Sequence, residues 1–72
     1  MNKAEQREVQ KAINFANLDP RYAAATLSGV MRSANKKSFF EMVAVMNDFK
    51  LRDHMEVVNG CYVAKSTHPA DA

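Results

Sequence analysis

The chain of 72 residues has one cysteine and two histidines, and the spacing of these and of its carboxylates predicts no catalytic cluster. Cys61 and His54 could form a nucleophilic thiol–imidazole pair, but Cys61 directly follows a predicted hairpin turn, and nothing nearby supplies an orienting group or an oxyanion hole. We interpret Cys61 as a structural or inert side chain, since free cysteines mostly behave as small apolar groups. Glu5 and Glu8 could pair for acid–base work, but we expect both to be solvated on an exposed helix face. The sequence therefore predicts a protein that is not an enzyme.

Metal ions and phosphates also lack their usual ligands. A metal site needs three or four ligands at suitable spacing, whereas the two histidines are His54 and His68, the latter near the end of the chain. A phosphate-cradling loop needs clustered glycines, but Gly29 falls in a predicted helix and Gly60 in a predicted turn. We expect no cofactor and no metal.

Length, charge and composition restrict the class of protein. With 72 residues the chain is one domain at most, predicted over residues 1–66 with a flexible tail at 67–72. No apolar run approaches the ~18 residues of a membrane span. The polar N-terminus is unlike a signal peptide, and a single cysteine fits a reducing compartment, so we expect a cytoplasmic protein. The net charge of +2 is compatible with nucleic-acid binding without demanding it.

Hydrophobic periodicity predicts a first helix from about Lys3 to Asn17. Its apolar residues recur on one face, and beside them runs a basic stripe formed by Lys3, Arg7 and Lys11. Such a stripe is either a solvated face or a contact surface for a partner.

A second helix is predicted from Pro20 to about Ser33 or Ala34, because proline suits the first helical position and Asp19 is a good N-cap. Gly29 inside this helix either allows close packing against a neighbour or divides the helix.

The third predicted helix covers residues 38–49. Ser38 and Glu41 match a capping box, whereas Asn35 is the competing cap that would start the helix a turn earlier. The predicted buried stripe consists of Phe39, Met42, Val43, Met46 and Phe49. Apolar side chains cover more than half the circumference, which indicates either a central helix or an apolar patch for a partner.

A β-hairpin is predicted over residues 55–64, because its central Asn-Gly dipeptide is the strongest short hairpin signal. We expect the face that carries Val57 and Tyr62 to pack on the helices. Val58 and Val63 lie on the other face and leave dimerisation open.

Three helices followed by a hairpin give an α+β, mainly helical fold class, and this element order resembles a winged helix-turn-helix domain. In that resemblance, residues 20–34 take the place of the second helix, residues 38–49 that of the recognition helix, and residues 55–64 that of the wing. It implies DNA binding by the third helix in the major groove, with the wing touching the backbone. The nucleic-acid contacts on this hypothesis are Lys36, Lys37, Ser38, Asn47, Lys50 and Arg52.

The basic residues flank the predicted recognition helix, whose own polar positions include the acidic Glu41 and Asp48. A small, single-domain, winged-helix-like chain with such a surface is similar to phage-encoded regulators that bind host RNA polymerase and alter promoter use or termination. The candidate surface for a protein partner consists of Lys3, Arg7, Lys11, Arg32, Lys36 and Lys37. We expect a transcription regulator that binds RNA polymerase. The alternatives are a winged-helix DNA-binding repressor and a phage inhibitor or adaptor of a host enzyme.

Overall fold

The structure is a computed structural model that describes residues 1–65. Three α-helices precede a short 3-10 turn and a two-stranded antiparallel hairpin. The elements are α1 (Lys3–Phe15), α2 (Pro20–Met31), α3 (Lys36–Asp48), the 3-10 turn (Leu51–His54), β1 (Met55–Val58) and β2 (Cys61–Ala64). The predicted α+β, mainly helical class is confirmed. The predicted tail at 67–72 lies outside the described residues.

Helices α1 and α2 meet at a tight corner, which ends α1 at Phe15 and not at the predicted Asn17. The carbonyl oxygen of Phe15 accepts hydrogen bonds from the backbone N–H groups of Leu18 (3.0 Å) and Asp19 (2.7 Å), so the chain turns away from the helix axis. The Asp19 carboxylate then caps α2 by accepting from the N–H of Tyr22 at 3.2 Å.

Gly29 lies inside α2 without dividing it, and α2 ends at Met31, before the predicted Ser33 or Ala34. A Cβ atom added at Gly29 would meet no other atom within 4 Å. This glycine therefore fulfils neither of the roles that the sequence left open, since it neither breaks the helix nor allows a close approach.

Helix α3 begins at Lys36, so the predicted start and capping box at Ser38 are wrong. The competing cap is the one used: the Oδ1 atom of Asn35 accepts from the N–H of Ser38 at 2.8 Å. Ser38 is thereby placed inside the first turn with its side chain turned into the protein, where it is 2% exposed. Its hydroxyl donates a hydrogen bond to Glu5 of α1.

Helix α2 occupies the centre of the fold, because it packs against α1, α3, the 3-10 turn and β2. The largest apolar side chains that are fully buried are Leu27, Met42, Met46 and Leu51. Unbranched methionine fills irregular gaps, which suits a core assembled from such short elements. Of the predicted α3 stripe, Phe39 and Val43 are only half-buried, and Phe49 is exposed because it lies beyond the last turn of the helix.

The hairpin pairs β1 with β2 in the predicted register, with Val57 opposite Tyr62. Asn59 and Gly60 have φ of 52° and 79°, the left-handed values that a type I′ turn requires. The face expected to pack on the helices does so only in part: Met55 is buried and Tyr62 half-buried, whereas Val57 is 61% exposed. The hairpin is thus anchored at its base and open near its tip.

Candidate functional site

The outward face of α3 is the surface that a recognition helix would use. Its exposed positions in the middle of the helix are Phe40, Glu41 and Ala44, and Phe40 is 59% exposed. Base edges in the major groove are read mainly by Arg, Lys, Asn and Gln, which can form paired hydrogen bonds with them. An aromatic ring, a carboxylate and a methyl group do not supply such pairs. The centre of this face is therefore chemically suited to a protein surface.

Two of the predicted nucleic-acid contacts meet at the C-terminal end of α3. Lys50 adopts a left-handed conformation, with φ of 58°, and reverses the chain into the 3-10 turn. This reversal brings the Nε–H of Arg52 to the Oδ1 atom of Asn47, with a donor–acceptor distance of 3.1 Å. The Arg52 guanidinium also lies 5.6 Å from the ring centroid of Tyr62, a cation–π distance. Asn47 and Arg52 therefore hold one another in place.

The predicted nucleic-acid contacts at the start of α3 lie far from Asn47 and Arg52. Lys36 and Lys37 are exposed in the first turn of α3, and at about 1.5 Å per residue they lie ~16 Å along the axis from Asn47. Ser38 is buried, which makes its prediction as a nucleic-acid contact wrong. The exposed cations of the predicted DNA surface are thus divided between the two ends of the helix.

The predicted protein-binding residues are all exposed: Lys3, Arg7, Lys11, Arg32, Lys36 and Lys37. The hydrogen bond between Glu5 and Ser38, 3.2 Å long, joins the first turn of α1 to the first turn of α3. Lys3 therefore begins one helix and Lys36 the other at a place where the two helices are directly connected. We call these six residues the basic edge.

A small cavity lies between the end of α2, the start of α3 and the tip of the hairpin, with a volume of roughly 50 Å³. It is lined by Met31, Arg32, Phe39, Gly60, Cys61 and Tyr62. The rings of Phe39 and Tyr62 stack with centroids 6.0 Å apart and planes inclined at 27°. Arg32 belongs both to this lining and to the basic edge, so the cavity and the basic edge are continuous.

Cys61 and His54 do not form the thiol–imidazole pair that sequence spacing allowed. His54 lies at the base of the hairpin, where its carbonyl oxygen accepts from the N–H of Lys65 at 2.9 Å. Cys61 lies next to the turn, four residues or roughly 13 Å of strand away. Its side chain is exposed and free, so it is not the buried core residue that a structural role would imply.

Glu5 is a second polar residue whose burial the sequence did not predict. Expected to be solvated, it is 8% exposed, and its Oε1 atom accepts hydrogen bonds from the N–H of Asn2 (3.0 Å) and the hydroxyl of Ser38 (3.2 Å). Two signals could have found it. Asn2 and Glu5 have the spacing of a capping box, and Glu5 with Val9 and Ala12 follows the i, i+4, i+7 spacing of the buried face.

Comparison with protein-family models finds no match to this chain, and searches of curated proteins and of solved structures find no significant similarity. Within residues 1–65 the structure shows no group of three or more His, Cys, Asp or Glu side chains that could hold a metal ion. Over the same residues no helix has both the length and the apolar character required to cross a membrane.

Proposed function

We propose that this chain is a non-enzymatic regulator that acts by binding another protein, and that its partner belongs to the transcription machinery, with RNA polymerase the first partner to test. The observation that carries the proposal is the composition of the outward face of α3. A winged-helix domain would read DNA with this face, yet its centre consists of Phe40, Glu41 and Ala44. An exposed aromatic side chain is typical of the centre of a protein interface.

The basic edge supports a partner with an acidic surface. Six cations are exposed along α1 and around the start of α3, while the nearest carboxylate of α3, Glu41, lies 3.4 Å from the N-terminal ammonium group of Met1. Complementary charges of this kind raise the association rate and orient the partner, and contribute less to the final affinity than apolar contacts do. We therefore assign orientation to the basic edge and affinity to Phe40.

The choice of RNA polymerase comes from the resemblance to small phage-encoded regulators, and the element order adds to its support. Three helices and a wing-like hairpin are compatible with a winged-helix shape. A chain with that shape and without base-reading side chains at the centre of the outward face of its third helix would alter promoter use or termination by contacting the polymerase.

A winged-helix DNA-binding repressor remains the second candidate, and one observation favours it. Lys36 and Lys37 at one end of α3, with Lys50 and Arg52 at the other, are all exposed and could hold phosphates on both sides of a groove. Contacts of that type would give binding that depends steeply on salt and little on sequence.

Two double variants with the same change in charge separate the candidates. Arg7→Glu with Lys11→Glu alters only the proposed protein surface. Lys50→Glu with Arg52→Glu alters the proposed phosphate contacts, and Arg52→Glu also removes the hydrogen bond to Asn47 and the contact with Tyr62. Each tagged protein is incubated with purified RNA polymerase, and each is titrated with duplex DNA at low and at physiological salt. Circular dichroism verifies that both variants fold.

We expect the wild-type chain to retain polymerase and to bind DNA weakly at low salt only. The first double variant should lose the polymerase, and the second should keep it. If neither the wild type nor the second variant retains polymerase, the proposal is wrong. Tight DNA binding at physiological salt that only the second variant loses would establish the repressor instead.

A further inference from the structure

We propose that the cavity between α2, α3 and the hairpin tip binds a short acidic segment of the protein partner, in which one branched aliphatic side chain enters the cavity and a neighbouring carboxylate pairs with Arg32. The inference rests on the proposed protein-binding function but does not depend on which protein the partner is. It specifies the chemistry of the contact at one end of the basic edge.

The interior of the cavity is suited to an apolar side chain. Phe39 and Tyr62 form one wall through their stacked rings, and Met31, 4% exposed, belongs to the core behind it. The hairpin tip contributes Gly60 and the exposed Cys61, so this side of the cavity is open to solvent. A group that enters from the tip would exchange water for aromatic and thioether surface, which is favourable in proportion to the apolar area covered.

The size of the cavity restricts which group can enter. Its volume of roughly 50 Å³ is about a third of the ~150 Å³ of an engineered cavity that binds benzene. A valine, leucine or isoleucine side chain can place its methyl groups in such a space. A phenyl ring or a nucleobase is too large, and the two aromatic walls already stack on each other. The size therefore favours an aliphatic residue of a protein over a base of a nucleic acid.

The positive charge at the cavity mouth favours a partner segment in which an acidic residue lies next to the aliphatic one. Arg32 is the charged member of the lining, and within residues 1–65 its guanidinium has no carboxylate partner. Lys36 precedes Phe39 by three positions, so it lies on the same side of α3 and adds a second cation near the mouth. Helix α2, which forms one side, contains no acidic residue between Pro20 and Met31. A carboxylate on the partner would supply the missing negative charge.

Selection from a random peptide library displayed on phage, with the purified full chain immobilised, tests this inference directly. Enriched peptides are synthesised with a fluorescent label, and their Kd for the wild type and for variants is measured by fluorescence anisotropy. Arg32→Glu reverses the charge of the mouth, and Tyr62→Ala removes one of the two stacked rings that form the wall. The matched controls are Lys65→Glu, which changes the charge equally elsewhere, and Tyr22→Ala, which removes the same side chain from a position outside the lining.

We expect enriched peptides to combine Val, Leu or Ile with Asp or Glu at adjacent or next-adjacent positions. Arg32→Glu and Tyr62→Ala should each weaken their binding at least about tenfold, and the two controls by less than about twofold, as expected for a contact concentrated at a few buried positions. Thermal denaturation establishes that each variant folds. Because Arg32 is exposed, the Arg32→Glu comparison remains decisive even if Tyr62→Ala unfolds.

The inference is overturned if no peptide is enriched, if enriched peptides are basic or lack an aliphatic residue, or if they bind Arg32→Glu as tightly as the wild type. A labelled single-stranded RNA that binds the wild type and is lost in Tyr62→Ala would overturn it in favour of a nucleic-acid site. These results do not involve polymerase. Retained polymerase without peptide binding refutes the cavity alone, and peptide binding without retained polymerase refutes only the proposed partner.

Discussion

The hydroxyl of Ser38 donates a hydrogen bond to the carboxylate of Glu5 across 33 positions of the chain, with 3.2 Å between the two oxygens, and both residues are buried. The same Oε1 atom of Glu5 accepts from the backbone N–H of Asn2 at 3.0 Å, which closes the capping box of α1. One oxygen atom thus satisfies a donor at the start of α1 and another in the first turn of α3. This bond fixes the basic edge, because Lys3 and Lys36 belong to the two turns that it connects.

Two substitutions of Glu5 distinguish the contribution of its hydrogen-bond acceptor to stability from the contribution of its negative charge. Glu5→Ala removes the partner of the buried Ser38 hydroxyl and one half of the capping box, and should lower the free energy of unfolding by about 2 kcal/mol. Glu5→Gln keeps an oxygen in the same position and should cost less than about 1 kcal/mol. Urea denaturation followed by circular dichroism measures both. Equal losses in the two variants would mean that the carboxylate charge, and not hydrogen-bond geometry, stabilises this junction.

Local sequence rules predicted α2 and the hairpin because each has a strong local cause. Asp19 before Pro20 and the Asn-Gly turn determine their elements by side-chain or backbone chemistry within four residues, and the structure agrees with both. The start of α3 was harder, since Asn35 and Ser38 are both acceptable caps. A long-range contact decides between them, because the Ser38 hydroxyl is used by Glu5.

Of the candidate site, only the exposure of its charged side chains could be predicted from the sequence. The six cations of the basic edge are exposed as expected, since long charged side chains rarely find buried partners. The contact between Arg52 and Tyr62 and the stacking of Phe39 on Tyr62 depend on how the hairpin folds back onto the helices. Sequence periodicity describes one element at a time and contains no information about the orientation of the hairpin relative to the helices.

The two glycines should respond in opposite ways to the same substitution. Gly29→Ala adds a methyl group to an exposed position inside α2 where a Cβ meets no atom within 4 Å, so it should raise the free energy of unfolding by about 0.5–1 kcal/mol. Gly60→Ala places a Cβ on a residue with φ of 79°, and should lower it by about 1 kcal/mol. Thermal denaturation of both variants shows whether each substitution raises or lowers the stability of the fold. A destabilised Gly29→Ala would reveal a close neighbour at that helix position.

Phe40 should contribute more to partner binding than to folding. Its ring is 59% exposed and meets Phe39 edge-on with centroids 6.0 Å apart, so Phe40→Ser should lower the free energy of unfolding by about 1 kcal/mol. Binding to RNA polymerase, measured by surface plasmon resonance, should weaken at least about tenfold, as for an aromatic residue at the centre of an interface. Leu18→Ser is the matched control, since Leu18 is 80% exposed at the corner between α1 and α2. If both variants bind as the wild type does, the outward face of α3 is not the interface.

Charge reversal at the start of α3 should abolish partner binding while leaving the fold intact. Lys36 and Lys37 are exposed in the first turn, where the helix dipole favours negative charge, so Lys36→Glu with Lys37→Glu should keep or slightly raise the melting temperature. The same double variant turns two cations of the basic edge into anions that repel an acidic partner, and the association rate with RNA polymerase should fall most strongly at low salt. Single Lys36→Glu is compared with Lys65→Glu, which makes an equal change of charge beyond the end of β2. Because the effect is electrostatic, raising the salt concentration should bring the association rates of wild type and variant closer together. Polymerase binding that survives the double reversal at low salt would show that the partner contacts a different surface of the chain.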